Sequence, residues 1–288
     1  MIKWMINTVL LLLILLIAGC DALTGNNASS GAATAPINNA SNLEHAPQET
    51  AIPDVGLRVK DVVTVSRSLD FGRVNKKTYG TFQDEDEVAS FAKAVRKAER
   101  MLGKLDIAHP DFDVAIIHDG KQYDIHLWLD AESEQGLFTY VYDTGTGYRL
   151  TKQATKELHT LIWDLPYNPD TAAANGDVVL TSLGDMRNRE AWDSFVESVE
   201  AGGEGEVQVV LYTREGDPIF HHLRFDGKMF RYRFDNSHDA FGTPNKRIDY
   251  CTELEAEKNE RGTAYRLDGC GASTRGMFHL SIPEPVSP

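Results

Sequence analysis

Residues 57–165 switch between the two hydrophobic periods that distinguish strands from helices. Valine-rich residues 59–65 and a second apolar stretch over residues 74–82 favour β-strands. Behind the acidic run of residues 84–87, apolar residues recur with the 3.6-residue period of a helix, at Val88, Phe91, Ala92, Val95 and Ala98. A second helix is predicted after Thr151, a favourable N-cap residue, and Pro166 ends it.

The segment between these helices has a period of two, which is typical of strands with one buried face. Asp119-Gly120 predicts a two-residue hairpin turn within it, because glycine tolerates a positive φ. Counting outward from this turn pairs Ile116 with Tyr123 and Val114 with Ile125.

Residues 176–272 again combine a helix with strands. Asn188 is expected to cap a helix that carries Trp192 and Phe195, and four or five strands follow. The Asp226-Gly227 turn pairs His221 with Tyr232. The predicted fold class is therefore α+β, with two small domains, 57–165 and 176–272, each an antiparallel β-sheet covered by one or two α-helices. Residues 166–176 form the break between them, and residues 273–288 are expected to form a flexible tail.

The first twenty residues have the pattern of a lipoprotein signal peptide. Lys3 supplies a positive charge, and residues 9–18 form an apolar run that is shorter than the roughly 20 residues needed to span a bilayer. Residues 16–20, Leu-Ile-Ala-Gly-Cys, resemble a bacterial lipobox, which predicts removal of residues 1–19 and lipid attachment to Cys20. An ordinary signal peptide with a chance cysteine is the alternative.

Residues 20–55 are expected to comprise the lipidated cysteine and a disordered linker, because their small and polar side chains bury too little apolar surface to offset ordering entropy. The chain of 288 residues has 43 acidic and 29 basic residues, a formal net charge of −14. Such a chain lacks the basic surface that binds nucleic acid. The expected location is the extracytoplasmic face of the cell membrane, where the lipid on Cys20 anchors the chain.

The two remaining cysteines predict a disulfide bond. Cys251 and Cys270 are equidistant from the midpoint of a predicted hairpin turn near residues 260–262, so they should lie opposite each other, within disulfide range. An exported chain meets the oxidising conditions that such a bond requires. A redox-active pair is the alternative.

One polar cluster in residues 176–272 is a candidate ligand or ion site. Strand pairing is expected to place Arg214 opposite Asp217, and Asp217 opposite Asn236, beside Asp235. The alternative is that these four residues form turns at strand ends. His221 and His222 are adjacent in a strand and point to opposite faces, so they cannot chelate one metal ion together.

Both globular regions resemble known families. Residues 57–165 resemble the YhfM-like domain of lipoproteins from Gram-positive bacilli, through Thr81-Phe82, Pro110-Asp111-Phe112, Leu127-Trp128-Leu129 and Tyr148-Arg149-Leu150. Residues 176–272 resemble the domain of unknown function 4362, through Gly176-Asp177-Val178-Val179, Glu215-Gly216-Asp217-Pro218, Phe225-Asp226-Gly227-Lys228, Phe241-Gly242 and both cysteines. Neither resemblance implies catalytic residues.

The chain contains no nucleophile elbow, zinc-protease motif, phosphate-binding loop or dinucleotide fingerprint. We therefore predict no catalytic residue, cofactor or metal. The expected function is a non-enzymatic binding or protein-interaction module at the cell envelope, whose partner is an envelope protein or a small ligand. The alternatives are an envelope enzyme of unfamiliar type that acts on cell-wall material, and an inhibitor or regulator of an envelope enzyme.

Overall fold

The computed structural model describes residues 61–283, except residues 104, 119, 120, 132, 261 and 272. The signal peptide, Cys20 and the linker lie outside the described residues and stay predictions. Every helix in the described part of the chain falls short of the length and apolarity needed to cross a membrane.

Residues of the YhfM-like region form the first sheet. Its strands are β1 (Val62–Arg67), β2 (Thr78–Phe82), β3 (Glu99–Arg100), β4 (Phe112–His118), β5 (Lys121–Trp128), β6 (Leu137–Tyr140) and β7 (Asp143–Arg149). They pair antiparallel in the order β2-β1-β4-β5-β6-β7-β3. The predicted hairpin register is confirmed, because Ile116 lies opposite Tyr123 and Val114 opposite Ile125.

Two helices, α1 (Glu85–Arg96) and α2 (Lys152–Trp163), cover this sheet. The Asp84 carboxylate caps α1 by accepting the N–H groups of Asp86 and Glu87. The Thr151 hydroxyl caps α2 by accepting the Ala154 N–H. The apolar stripes of both helices are buried in the core, as their periodicity predicts.

The second sheet is mixed. Its strands are β8 (Val178–Leu180), β9 (Met186–Arg187), β10 (Gly205–Tyr212), β11 (Pro218–Phe225), β12 (Phe230–Asp235) and β13 (Lys246–Cys251), in the order β13-β12-β11-β10-β8-β9. Strand β8 runs parallel to β10, because α4 (Arg189–Glu200) connects this part of the sheet as a crossover. The expectation of a purely antiparallel sheet is wrong at this strand.

Asn188 precedes α4 as predicted, but its side chain does not cap the helix. Its backbone is left-handed, with φ 54°, and its side chain makes no capping hydrogen bond. The side-chain amide donates instead to the carbonyl oxygens of Ala173 and Asp177, at 2.9 and 2.8 Å. Asn188 therefore joins the start of α4 to the segment before β8.

The predicted flexible tail is wrong for residues 273–283. A third sheet consists of β14 (Glu253–Asn259), β15 (Gly262–Cys270) and β16 (Ser273–Pro283), paired antiparallel in that order. Phe278, Leu280 and Ile282 alternate along β16 and are buried against α4, with the Phe278 and Trp192 rings 5.7 Å apart. Burial of these alternating apolar side chains stabilises the segment as a strand.

The Cys251–Cys270 disulfide predicted from the sequence is present. The pairing of β14 with β15 has the predicted register. The predicted first strand of this hairpin is interrupted at Thr252, however, so Cys251 is the last residue of β13 and Cys270 is the last residue of β15. The bond therefore joins the second sheet to the third, and both cysteines are buried.

The predicted break over residues 166–176 is a packed segment. It contains the short helix α3 (Pro169–Ala174), and Tyr167 and Ala172 are buried in the core of the first sheet. The same core includes Val210 and Phe220 of the second sheet. Residues 61–283 thus form a β-rich α+β unit, and its sheets do not separate clearly into two domains.

Asp177 connects three parts of this unit. Its fully buried carboxylate accepts hydrogen bonds from Lys77 Nζ at 2.5 Å, Tyr167 Oη at 2.6 Å and Gln208 Nε2 at 2.8 Å. These donors come from the loop before β2, the connecting segment and β10. The network therefore fixes the second sheet against the first.

Candidate functional site

A cavity of about 640 Å³ lies between the first and second sheets. One wall is the face of the second sheet that carries Phe220, His222 and Arg233. The opposite wall comprises residues 67–69 at the end of β1, residues 108–111 before β4, and Trp128 of β5. We call this space the inter-sheet cavity.

Charged residues and apolar residues both line the inter-sheet cavity. The apolar lining includes Leu69, Pro110, Trp128, Phe220, Phe234 and Ile248. The charged lining consists of Arg67, Asp111, Asp130, Arg233, Asp235, Lys246 and Arg247. A volume of this size and a mixed lining are typical of sites for small molecules.

An ion pair in the cavity wall joins Arg67 to Asp235. The Arg67 guanidinium also lies 3.8 Å from the centre of the Phe220 ring, a cation–π contact. Burial acts to raise the pKa of Asp235, but the charges of Arg67 and Lys246 lower it to about 2. Ser237 donates its N–H and hydroxyl to the same carboxylate, at 2.8 and 2.6 Å, so Asp235 is ionised and fully bonded.

Arg233 differs from the other cations of the cavity. Lys246 pairs with Asp111 at 2.5 Å and Arg247 with Asp249 at 2.6 Å. Arg233 has no carboxylate partner among the described residues; its Nη1 donates to the Leu69 carbonyl at 2.6 Å and to His109 Nε2 at 3.2 Å. Burial, followed by the charges of Arg231 and Arg67, lowers the pKa of Arg233 to about 10. The guanidinium is therefore charged and incompletely compensated at neutral pH.

The two histidines that line the cavity are neutral. Burial and then the charge of Arg233 lower the pKa of His109 to about 4. Because His109 Nε2 accepts from Arg233, its proton lies on Nδ1, which donates to the Pro110 carbonyl at 3.2 Å. Burial also lowers the pKa of His222, whose Nε2 donates to Glu206 at 2.8 Å.

Two buried polar atoms of the cavity lining have no hydrogen-bond partner among the described residues. They are Ser68 Oγ and His222 Nδ1, and their residues are 2% and 4% exposed. Buried polar groups in proteins are nearly always bonded, so such atoms call for an explanation. Both belong to residues that line the inter-sheet cavity.

The structure does not bring together the four residues predicted as a ligand or ion site. Asp235 lines the inter-sheet cavity, and Arg214 is exposed in the loop after β10. Asp217 accepts the Ala240 N–H at 3.0 Å, and Asn236 bonds to Thr243 and Asn245. Asp217 and Asn236 therefore support the loop between β12 and β13.

The strand pairings that predicted this cluster are wrong. Tyr212 pairs with Pro218, and Phe220 pairs with Asp235. The β10–β11 register differs from the predicted one by one residue, and the β11–β12 register differs by two. Both differences arise because the connecting loops are longer than a two-residue turn. Arg214 therefore does not pair with Asp217, and Asp217 does not pair with Asn236.

A buried His–Asp pair next to the cavity has a structural role. His126 Nδ1 donates to Asp113 Oδ1 at 2.8 Å, and both side chains are fully buried. His126 Nε2, the atom that would act as a base in a hydrolase, accepts the Gly72 N–H at 2.9 Å. Asp113 Oδ2 accepts the Asn75 N–H at 2.7 Å, so the pair holds the loop between β1 and β2.

Within residues 61–283, omitting the six undescribed positions, no group of three or more His, Cys, Asp or Glu side chains is arranged to hold a metal ion. His221 and His222 point to opposite faces, as predicted: His221 contacts Tyr232 Oη at 2.8 Å, whereas His222 lines the cavity.

Comparison with known families assigns both regions. Residues 67–166 match the family described as YhfM protein, and residues 175–266 match the family described as domain of unknown function, DUF4362. The chain thus contains a segment similar to each family, in that order, which confirms both domain resemblances. No curated protein and no solved structure matches the chain.

The principal residues of the inter-sheet cavity were not found by sequence reasoning. Arg67, Ser68, His109 and Arg233 belong to no motif. A signal was present in β12, where Arg231, Arg233 and Asp235 alternate with aromatic residues. This alternation indicates that β12 has one apolar face and one charged face. It does not show that residues of the first sheet cover the charged face.

Proposed function

We propose that this chain is a lipid-anchored, non-enzymatic binding protein of the extracytoplasmic face of the cell membrane, and that the inter-sheet cavity binds a small molecule. The observation that supports binding is the combination, among the described residues of one cavity, of a guanidinium without a carboxylate partner, two buried polar atoms without a hydrogen-bond partner and an apolar lining. The predicted signal peptide and Cys20 support the location.

Binding without catalysis is favoured by the state of the titratable groups. The cavity histidines are neutral, and Asp111 and Asp235 are held in ion pairs. A general acid–base mechanism needs a group that exchanges a proton near the working pH and reaches the substrate. The His126–Asp113 pair has its remaining nitrogen occupied by backbone.

Lipid anchoring predicts a specific effect of Cys20→Ser. The chain has three cysteines, and the two others form the disulfide. We expect wild-type protein to take up a palmitate analogue and to sediment with membranes, and the Cys20→Ser variant to lose the label and enter the soluble fraction. The matched control, Cys251→Ala with Cys270→Ala, should keep the label. A Cys20→Ser protein that stays labelled would contradict the anchoring proposal.

Small-molecule binding predicts thermal stabilisation of the intact chain by members of a panel of organic acids, sugars, amino acids and nucleosides. A ligand at 100 times its Kd contributes about 2.7 kcal/mol to the stability of the folded state. Ala131→Trp places a large ring in the cavity lining and should abolish this effect, whereas Ala240→Trp, outside the lining, should not.

Two results would contradict the binding proposal. If no panel member stabilises the chain, the cavity is not a small-molecule site. If a panel member is converted to a product, as detected by mass spectrometry, the enzyme alternative replaces the binding function.

A further inference from the structure

We propose that the inter-sheet cavity recognises the carboxylate of a small organic acid, with Arg233 as its counter-charge and the apolar lining in contact with the rest of the ligand. This inference rests on the proposed binding function and names the chemical class of the ligand.

Within the described part of the chain, the ion pairs of the cavity lining leave one cation without a carboxylate partner. Arg67, Lys246 and Arg247 are already paired with Asp235, Asp111 and Asp249. Arg233 uses Nη1 for two neutral acceptors, and its Nε and Nη2 form no hydrogen bond with a described residue. These two nitrogens are one edge of the guanidinium fork, which matches the two oxygens of a carboxylate.

Ser68 supplies a neutral donor on the opposite wall of the cavity. The residue lines the cavity, and its buried hydroxyl has no partner among the described residues. The next residue, Leu69, accepts the Arg233 Nη1–H at 2.6 Å, so the chain around Ser68 is held beside the guanidinium. Ser68 N–H is itself fixed to the Asp111 carbonyl at 3.0 Å. The proposed anion site therefore combines a hydroxyl of one wall with a guanidinium edge of the other.

The remaining charges favour a monoanion over a phosphate group. Three carboxylates, Asp111, Asp130 and Asp235, also line the cavity. Together with the four cations of the lining they leave a formal charge of +1, which a monoanion balances and a dianion exceeds. The neutral imidazoles of His109 and His222 add no positive charge. A single negative charge is therefore the best match to the lining.

The apolar lining determines the rest of the ligand class. Leu69, Pro110, Trp128 and Ile248 lie around the same cavity. Trp128 is held in place by the hydrogen bond from its Nε1 to the Ala108 carbonyl at 2.7 Å. An aromatic or aliphatic group attached to the carboxylate would be buried against these side chains. The volume of about 640 Å³ admits such a molecule.

The test measures binding by isothermal titration calorimetry with the intact chain. The probes are phenylacetate, indole-3-acetate and hexanoate, each with its neutral amide, and phenyl phosphate as the dianion. We expect at least one of these acids to bind at least about 10-fold more tightly than both its amide and phenyl phosphate, because a hydrogen-bonded ion pair contributes that much to affinity.

Three variants assign the effect to residues. Arg233→Gln should weaken binding of the acid about 10- to 100-fold. Ser68→Ala should weaken it about 2- to 10-fold without lowering the melting temperature, because it removes a hydroxyl that has no partner in the described structure. Arg224→Gln is the matched control. Arg224 of β11 lies on the same face of the second sheet as Arg233 but outside the cavity lining, so its removal should leave the affinity unchanged.

Each other outcome is decisive. Amides that bind as tightly as their acids, or full affinity in both Arg233→Gln and Ser68→Ala, would overturn the carboxylate assignment. If sugars or nucleosides bind in a manner blocked by Ala131→Trp and the acids do not, the carboxylate assignment fails and the binding function stands. Failure of every probe, including the wider panel, overturns both.

Discussion

Replacing Asp177 with alanine is expected to lower the free energy of unfolding by about 3–5 kcal/mol, because it breaks a buried ion pair and its hydrogen bonds. The substitution leaves the Tyr167 hydroxyl and the Gln208 amide without their acceptor, and each unsatisfied buried group costs about 1–3 kcal/mol. Lys77 is 31% exposed and regains part of its hydration, so most of the loss comes from the two neutral donors.

Urea unfolding of the intact chain measures this effect. Asp177→Asn preserves the shape and one acceptor oxygen, so it should fall between wild type and Asp177→Ala. Glu134→Ala serves as the control, because Glu134 forms an exposed ion pair with Lys152 and its removal should cause no measurable change. A loss below about 1 kcal/mol in Asp177→Ala would show that the network does not hold the two sheets together.

Lowering the pH from 7.5 to 5.0 is expected to reduce the stability of the protein by at least about 4 kcal/mol. Burial lowers the pKa of His221 to about 4. Burial and the charge of Arg67 lower the pKa of His238 to about 3. The unfolded chain takes up protons on both residues near pH 6.5.

The sign follows from proton binding. Between pH 6.5 and pH 4 the unfolded chain binds more protons than the folded chain, so stability falls as the pH falls. Each of these two histidines contributes about 2 kcal/mol to the loss at pH 5. The lowered pKa values of His109 and His222 act in the same direction.

Urea midpoints at pH 7.5 and 5.0 test this prediction. His221→Gln keeps an acceptor for the Tyr232 hydroxyl and should remove about 2 kcal/mol of the pH dependence. His279 is exposed, so His279→Gln should retain the full dependence. Equal stability of the wild-type chain at the two pH values would show that these imidazoles are protonated in the folded state.

The inter-sheet cavity is assembled from both family regions. Arg67, Ser68 and Trp128 lie in the YhfM region, and Arg233 and His222 lie in the DUF4362 region. Neither region contains the site alone. A comparison that treats each region as a separate module therefore misses the feature on which the proposed function depends.

Register in the hairpins shows where sequence reasoning succeeded and failed. The β4–β5 pairing was predicted correctly. The β11–β12 pairing was wrong by two residues, because Asp226 accepts the N–H groups of Lys228 and Met229 and extends the turn to four residues. A shift of two preserves the face of every side chain, so the buried positions of Phe230 and Tyr232 were still predicted correctly.

The candidate site was not predictable because it depends on contacts between residues far apart in the chain. Arg67 and Asp235 are separated by 168 positions, and no local pattern links them. Turns of the length assumed from the sequence instead group Asp235 with Arg214, Asp217 and Asn236. Small errors in two loops were enough to separate those four residues.

The three longer helices, most of the strands, the α+β class, the disulfide and both family resemblances follow from the sequence, because periodicity, turn residues and cysteine spacing are local properties. Only the tertiary structure decided that residues 166–176 are packed, that residues 273–283 form a strand, and that a charged strand face closes over a cavity. Burial and pairing of charges depend on which surfaces meet, and the two sheets meet through residues that no short segment contains.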